Sequence, residues 1–310
     1  MIDEYTNISN SVPLGLDNGN GDTKTSHCCI RTGIVQVSDS PITNDNILEY
    51  KGKYYQVGVD RINIQDTKVD NDNVYLISLA AIAKELKARN LRSRRIILAV
   101  GLPIGRYSAE KNDFIRYLSR DKFIKFRYEN DEYNIIIEKV LVYPQCYGAI
   151  VDRLPEMKGL TYVVDIGSWT VDTLKIINRV PDESGCSSEP IGVITCIKKI
   201  QEVCYEKLNS KLDEHLIQEY LIHGQINVDQ EYINIIDDEI KKYTNKVFRT
   251  LVESGINVKI SPVIFVGGGA FLMKKYAGID QRNISYIEDV CANAKGYETL
   301  AKLYMNNKKG

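Results

Sequence analysis

Three short stretches concentrate the residues able to do chemistry. In "DNGNGDTK" a carboxylate (Asp17), an amide (Asn18), a glycine (Gly19) and a second amide (Asn20) precede Lys24, an ammonium group seven positions beyond the aspartate. "DIGSWTVD" places Asp165 before Gly167 and Ser168, with Asp172 again seven positions on. "GGG" is Gly267, Gly268 and Gly269. Glycine has no Cβ, so backbone N–H groups can approach an anion closely. Asn20 and Ser168 add side-chain donors, and Lys24 offers a point charge suited to phosphate oxygens. The aspartates narrow the ligand. A carboxylate facing a phosphate is repelled by about 4 kcal/mol at ~4 Å and an effective dielectric near 20. Asp17 and Asp165 therefore suit a triphosphate only with a cation between, and Mg2+, which keeps waters that carboxylates can hold, is the expected ion. Three glycines opening a helix let a nucleoside lie against the backbone, with phosphate near the helix N-terminus. One Asp-x-Gly turn is ordinary; two matched turns followed by the triple glycine form a pattern.

The elements that must position these residues follow from periodicity. Residues 12–17 and 24–31 read as strands flanking the first glycine turn, and 53–59 as another. Leu76, Leu79, Ala80, Ala83 and Leu86 predict a helix over 74–88. "RIILAVGLP" (95–103) predicts a buried strand ending in a loop, and Ser108 a cap for a helix carrying Phe114, Ile115 and Leu118. In the second half, 161–177 reads as strand, glycine turn, strand. Ile194, Ile197, Ile200, Cys204 and Leu208 form one helical stripe; Ile233, Ile236, Ile240, Tyr243, Val247 and Leu251 form another, stopped by Gly255. Residues 261–276 read as strand, glycine turn and helix start, and 178–190 as a polar surface loop. Alternating strands and helices indicate an α/β fold. Asp17-Asn18-Gly19 aligns with Asp165-Ile166-Gly167, so each half carries one hairpin, which predicts two related domains, 1–150 and 151–310.

Composition excludes other classes. The formal net charge is −1 over 310 residues, which disfavours direct, sequence-blind binding of nucleic acid; Arg92, Arg94 and Arg95 read as a solvated helix end. No apolar run is long enough for a membrane span, and "MIDEYTNISNS" lacks the features of a secretory signal. Seven cysteines without a C-x-x-C pair predict free thiols in the cytoplasm. His27 beside Cys28 and Cys29 lacks the further ligands a zinc site needs.

With these motifs the chain resembles the actin-like ATPase superfamily, in which two hairpins clamp the phosphates and a glycine-rich turn holds the adenosine. "LDNGNGDTK" is similar to the first phosphate motif, "VVDIGSWTVD" to the second and "IFVGGGAFLM" to the adenosine motif. Within the superfamily the chain resembles the bacterial plasmid-segregation actins, the ParM-like group, through "AVGLPIGRY" (99–107), "VYPQCYGA" (142–149) and "CANAKGYETLAKLY" (291–304). The likeness implies a two-lobed, duplicated ribonuclease H-like fold with a nucleotide cleft between the lobes, the last helix (about 290–305) packing back on the first. It implies an ATP- or GTP-hydrolysing protein that forms filaments with itself and reaches plasmid DNA only through a DNA-binding, ParR-like adaptor. Several ParM-like proteins carry a glutamate where Gln145 stands, and actin a glutamine. Gln145 is then the candidate for orienting the attacking water, and Asp165 for holding magnesium or a water. A small-molecule kinase of the same fold, with Asp172 as base, and a chaperone-like ATPase are the alternatives.

Overall fold

The computed structural model describes residues 11–38, 43–59, 68–69, 71–278 and 282–308. The chain divides into two compact units, Met1–Glu156 with Val290–Gly310, and Met157–Asp289.

In the first unit β1 (Ser11–Asn18) turns into β2 (Asp22–Lys24), followed by β3 (Cys29–Arg31), β4 (Ile34–Val37), β5 (Ile47–Tyr50) and β6 (Lys53–Val57). Helix α1 (Asn73–Ala88) leads to β7 (Ser93–Leu102). Helix α2 (Ile104–Leu118) and β8 (Ile124–Tyr128) lead to β9 (Asp131–Pro144) and a 3₁₀-helix, Gly148–Glu156. The described strands form one sheet in the order β3-β2-β1-β7-β9-β8-β5-β6-β4. Its centre, β1-β7-β9, is parallel, with Leu14 opposite Leu98 and Leu102 opposite Pro144. Parallel strands are covered on both faces and so read as unbroken apolar runs. Leu14, Leu16, Ile96, Leu98 and Val100 are accordingly buried. Parallel pairing also brings the carboxyl ends of β1, β7 and β9 to one edge, where α/β proteins place their ligand loops.

In the second unit β10 (Leu160–Ile166) and β11 (Val171–Ile177) form an antiparallel hairpin, extended by β12 (Val180–Pro181) and β13 (Ser187–Glu189). Helices α3 (Val193–Leu208), α4 (Glu214–His223) and α5 (Gln230–Glu253) precede β14 (Val263–Val266), α6 (Ala270–Tyr276) and β15 (Ile284–Tyr286). β14 pairs in parallel with β10 and with β15. The stripes Ile194-Ile197-Ile200-Cys204 and Ile236-Ile240-Tyr243-Val247-Leu251 lie together in this unit's core. The final helix, α7 (Ala292–Asn307), belongs to the first unit.

Four local expectations change. Residues 24–31 are not one strand: a turn closed by the Thr25 N–H on the Cys28 carbonyl (2.8 Å) separates β2 from β3. Ser108 lies inside α2, whose N-cap is Pro103. Residues 178–190 include two short strands that pair with β11, because the backbone bonds of that strand's outer edge need partners. Arg94 and Arg95 begin β7 instead of ending a helix, and Arg92, just before it, pairs with Asp131 at 3.1 Å.

Candidate functional site

The first hairpin is set by the register of β1 on β2, which pairs Asp17 with Lys24 and Asn18 with Thr23. Cross-strand partners share a face of the sheet, so the carboxylate and the ammonium group stand side by side. The turn between them is tied down from behind. The Thr32 hydroxyl donates to the Gly19 carbonyl (2.6 Å), and the Thr32 N–H donates to the Gly21 carbonyl (2.8 Å). Asn18 Nδ2 donates to Ser78 Oγ of α1 (3.0 Å), so one of its two donors is turned inward, whereas Asn20 is exposed at the tip. Asp17 is 5% exposed, and its Oδ1, like Asn18 Oδ1, is a buried acceptor with no hydrogen-bond partner. A buried acceptor left unmatched costs about 1–3 kcal/mol. Two adjacent ones beside Lys24 fit a hydrated divalent cation, whose waters donate to oxygen.

Gln145 follows the last residue of β9. Its backbone N–H donates to the Leu102 carbonyl at 2.7 Å, and Cys146, next in line, takes the left-handed conformation (φ 69°). Gln145 thus lies in a turn ahead of the 3₁₀-helix, at the same sheet edge as the first hairpin and two strands across from it, about 10 Å at the usual strand spacing.

Behind the hairpin lies a buried cluster of charge. Glu85 accepts from the His27 N–H (3.0 Å), pairs with His27 Nδ1 (2.7 Å) and accepts from Arg89 Nε (2.6 Å). Arg89 also binds Glu298 and donates to the Pro13 carbonyl at 2.9 Å. Glu298 accepts from Ser26 Oγ (2.5 Å) and pairs with Lys302 (2.6 Å). Burial by itself would raise both carboxyls; hydrogen bonds from Thr25 and His27 on Glu85, from Lys302 and Ser26 on Glu298, and the Arg89 charge outweigh it and hold both below the usual range. His27, set beside two thiols in the sequence, is a partner of Glu85. Among the described residues no group of three or more His, Cys, Asp or Glu side chains is placed to hold a metal.

The second hairpin has the same register with different chemistry: Asp165 pairs with Asp172 and Ile166 with Val171. The Thr170 hydroxyl donates to Asp172 Oδ2 at 2.7 Å. The Gly167 N–H closes the turn on the Thr170 carbonyl (2.9 Å), and the Gly269 N–H donates to the Ile166 carbonyl (3.0 Å). These two glycines therefore spend their donors on shaping the turns, while Gly268 is exposed with open space around it. Gly267 has φ 83°, and a Cβ there would stand 2.2 Å from Asp165 Oδ1, so only glycine lets the carboxylate lie over this turn. The hairpin tip is held by α3: the Gly192, Val193 and Ile194 N–H groups donate to the Trp169, Gly167 and Ser168 carbonyls at 2.9–3.0 Å. A Cβ on Gly192 would meet the Trp169 backbone at 2.4 Å.

Two family models account for most of the chain. Residues 15–148 match the N-terminal domain of actin-like proteins, and residues 163–276 match the C-terminal domain of the archaeal MreB-like actin homologue. The chain is an actin-like protein. A comparison with curated protein sequences finds no match. Among solved structures, an archaeal actin homologue in complex with ADP superposes with TM-score 0.74 at 20% identity, covering 94% of this chain and 99% of the other. ParM from Bacillus thuringiensis with ATP gives 0.73 at 13% identity over 96% and 100%. ParM in a 15-stranded filament from Clostridium botulinum gives 0.73 at 17% over 95% and 100%. At these identities the likeness is one of fold. The actin-like motifs thus fall as follows: Asp17, Asn18, Gly19, Asn20, Lys24 and Gln145 in the first unit; Asp165, Gly167, Ser168 and Gly267, Gly268 and Gly269 in the second. No helix among the described residues is long and apolar enough to cross a membrane.

Residues that the motifs do not reveal support these turns: Thr32 and Ser78 behind the first, Gly192 behind the second, and the Ser26-Glu85-Arg89-Glu298 cluster. Ser26 and Glu298 are 272 positions apart, a separation no local pattern encodes.

Proposed function

We propose that this actin-like protein binds ATP or GTP with magnesium, hydrolyses it slowly in the cytoplasm, and assembles into filaments whose lifetime the hydrolysis limits. The observation that carries the reading is the buried, unmatched Asp17 Oδ1 beside Asn18 Oδ1, in register with Lys24 on a glycine hairpin. Lys24 compensates phosphate charge, and Asp17 and Asp165 would hold magnesium, through its waters. Bound magnesium would neutralise charge on the phosphates. Gly267, Gly268 and Gly269 admit the nucleoside, and Gly19, Asn20, Gly167 and Ser168 form the tips that follow the phosphates, with Asn18 buried behind the first. Gln145, a neutral amide, cannot remove a proton but can hold the attacking water in line, so turnover is slow. Gln145→Ala is expected to slow phosphate release about 10²-fold while filaments still form and persist longer.

The filament reading draws on the ParM filament of the same fold. Head-to-tail contacts do not close on themselves and so propagate. With a net charge of −1, the chain is expected to reach plasmid DNA through a ParR-like adaptor and to serve DNA segregation. Light scattering and phosphate release at rising protein concentration, with and without a panel of sugars, test this. Turnover per molecule should rise past a threshold and ignore the sugars. Flat turnover without scattering, stimulated by one sugar, would make the protein a kinase.

A further inference from the structure

The sheet fixes β2 up to Lys24 and β9 up to Pro144, and a turn follows each: Thr25–Cys28 after Lys24, and Gln145–Tyr147 after β9. One element touches both. On α7, Asn293 Oδ1 accepts from the Ala149 N–H (3.1 Å), and Tyr297 stacks on Tyr143 and donates to the Pro144 carbonyl (3.4 Å). Glu298 accepts from Ser26 Oγ at 2.5 Å and binds Arg89, which in turn holds the Pro13 carbonyl of β1. All three α7 side chains are buried, with exposures of 5%, 0% and 6% for Asn293, Tyr297 and Glu298. Asn293 and Tyr297 form one i,i+4 row of the helix, and Ala294 and Glu298 the next row. Both rows lie against backbone. A Cβ on Gly15 would stand 1.8 Å from the Ala294 carbonyl oxygen, and one on Gly148 would stand 2.5 Å from the Asn293 carbonyl oxygen. At these places the helix backbone packs directly on the backbone of the first unit.

We propose that α7 is a positioning helix that sets two turns independently: the Asn293-Tyr297 row places Gln145, and Glu298, through Ser26 and Arg89, places Lys24. The proposal rests on the reading of Gln145 as the water-orienting residue and Lys24 as a phosphate ligand. Because separate rows hold the two turns, damage to one row should separate hydrolysis from binding. A residue that merely stabilised the fold would affect both together.

The test uses the full chain with Asn293→Ala and Tyr297→Phe in one row, Glu298→Gln in the other, and Ser26→Ala at the partner of Glu298. Amide hydrogen exchange is first measured on nucleotide-free protein. Asn293→Ala should speed exchange about tenfold over 144–150 and leave 23–28 unchanged; Ser26→Ala should do the reverse. Labelled-nucleotide titration and single-turnover phosphate release follow. Asn293→Ala should slow hydrolysis about tenfold with affinity within about twofold, whereas Ser26→Ala should weaken affinity about fivefold and leave hydrolysis at saturation within about twofold. Asn293→Asp, which keeps an acceptor for the Ala149 N–H, should restore slow exchange at 144–150. Exchange that rises in both segments for every variant, or affinity and hydrolysis that fall together in both rows, overturns the proposal. A wild-type protein that binds nucleotide without hydrolysing it overturns the hydrolytic reading of Gln145 instead, and the exchange pattern alone then decides whether α7 sets the two turns.

Discussion

The two glycine hairpins share a register and differ in charge and in backing. In each, an aspartate is paired across the strands with the residue seven positions later, Asp17 with Lys24 and Asp165 with Asp172. The first pair is opposite in sign and suits contact with anionic phosphate. The second places two carboxylates on one face, an arrangement that favours a cation or its waters nearby. The backing differs as well. The turn that follows Lys24 leans on buried ionised side chains, Glu85, Arg89 and Glu298. The second tip leans on backbone N–H groups at the start of α3. One topology thus serves two electrostatic tasks, and part of the first hairpin's support, the cluster behind the turn after Lys24, titrates whereas the second's backbone support does not.

The sharpest way to break this comparison is Asp165→Ala. If the hairpins divide labour, hydrolysis falls about 10²-fold or more while nucleotide affinity changes far less. Equal losses in both would make the second hairpin a binding element only. Next in size, Lys24→Ala should weaken labelled-nucleotide binding about tenfold or more, with and without magnesium. Asp17→Ala should remove only the magnesium-dependent part of the affinity. Unchanged titrations for both variants would reduce the first hairpin to a turn.

Smaller effects probe the backing. Gly192→Ala drives a Cβ into the Trp169 and Ser168 backbone, at 2.4 and 2.5 Å, and should destabilise by about 1–3 kcal/mol in denaturant unfolding. Thr32→Val, which removes the hydroxyl bond to Gly19, should cost about 1 kcal/mol. The smallest effect is acid sensitivity. Glu85 and Glu298 have folded pKa values held below the ordinary one, near 4.3. Their contribution is therefore complete above that value and is lost as pH falls through the lower folded values. Hydrogen exchange below about pH 4 should rise at 23–28 before it rises at 166–171. The opposite order would show that the buried cluster does not support the first hairpin.

Much of this molecule was legible from local pattern. The Asp-x-Gly turns, the triple glycine and the helical stripes 194–204 and 236–251 depend on residues near one another in the chain, so composition and period reveal them. Expectation and structure part where neighbours compete. Ser108 has capping chemistry, but Pro103 begins α2 a turn earlier. Residues 178–190 are polar, yet they supply edge strands because β11 offers unpaired backbone.

By itself the sequence determined the two hairpins, the glycine turn that accompanies them and the α/β class, because these rest on backbone freedom at glycine and on hydrophobic period; the actin-like likeness rests on the resemblance of those motifs to a known family. Only the tertiary structure decided what holds the hairpins in place. Glu298 reaches Ser26, Arg89 reaches Pro13 and Gly192 admits the Trp169 backbone through contacts that follow from packing after distant segments meet. A buried charge is tolerated only where partners converge on it from several elements, and no spacing along the chain records that convergence.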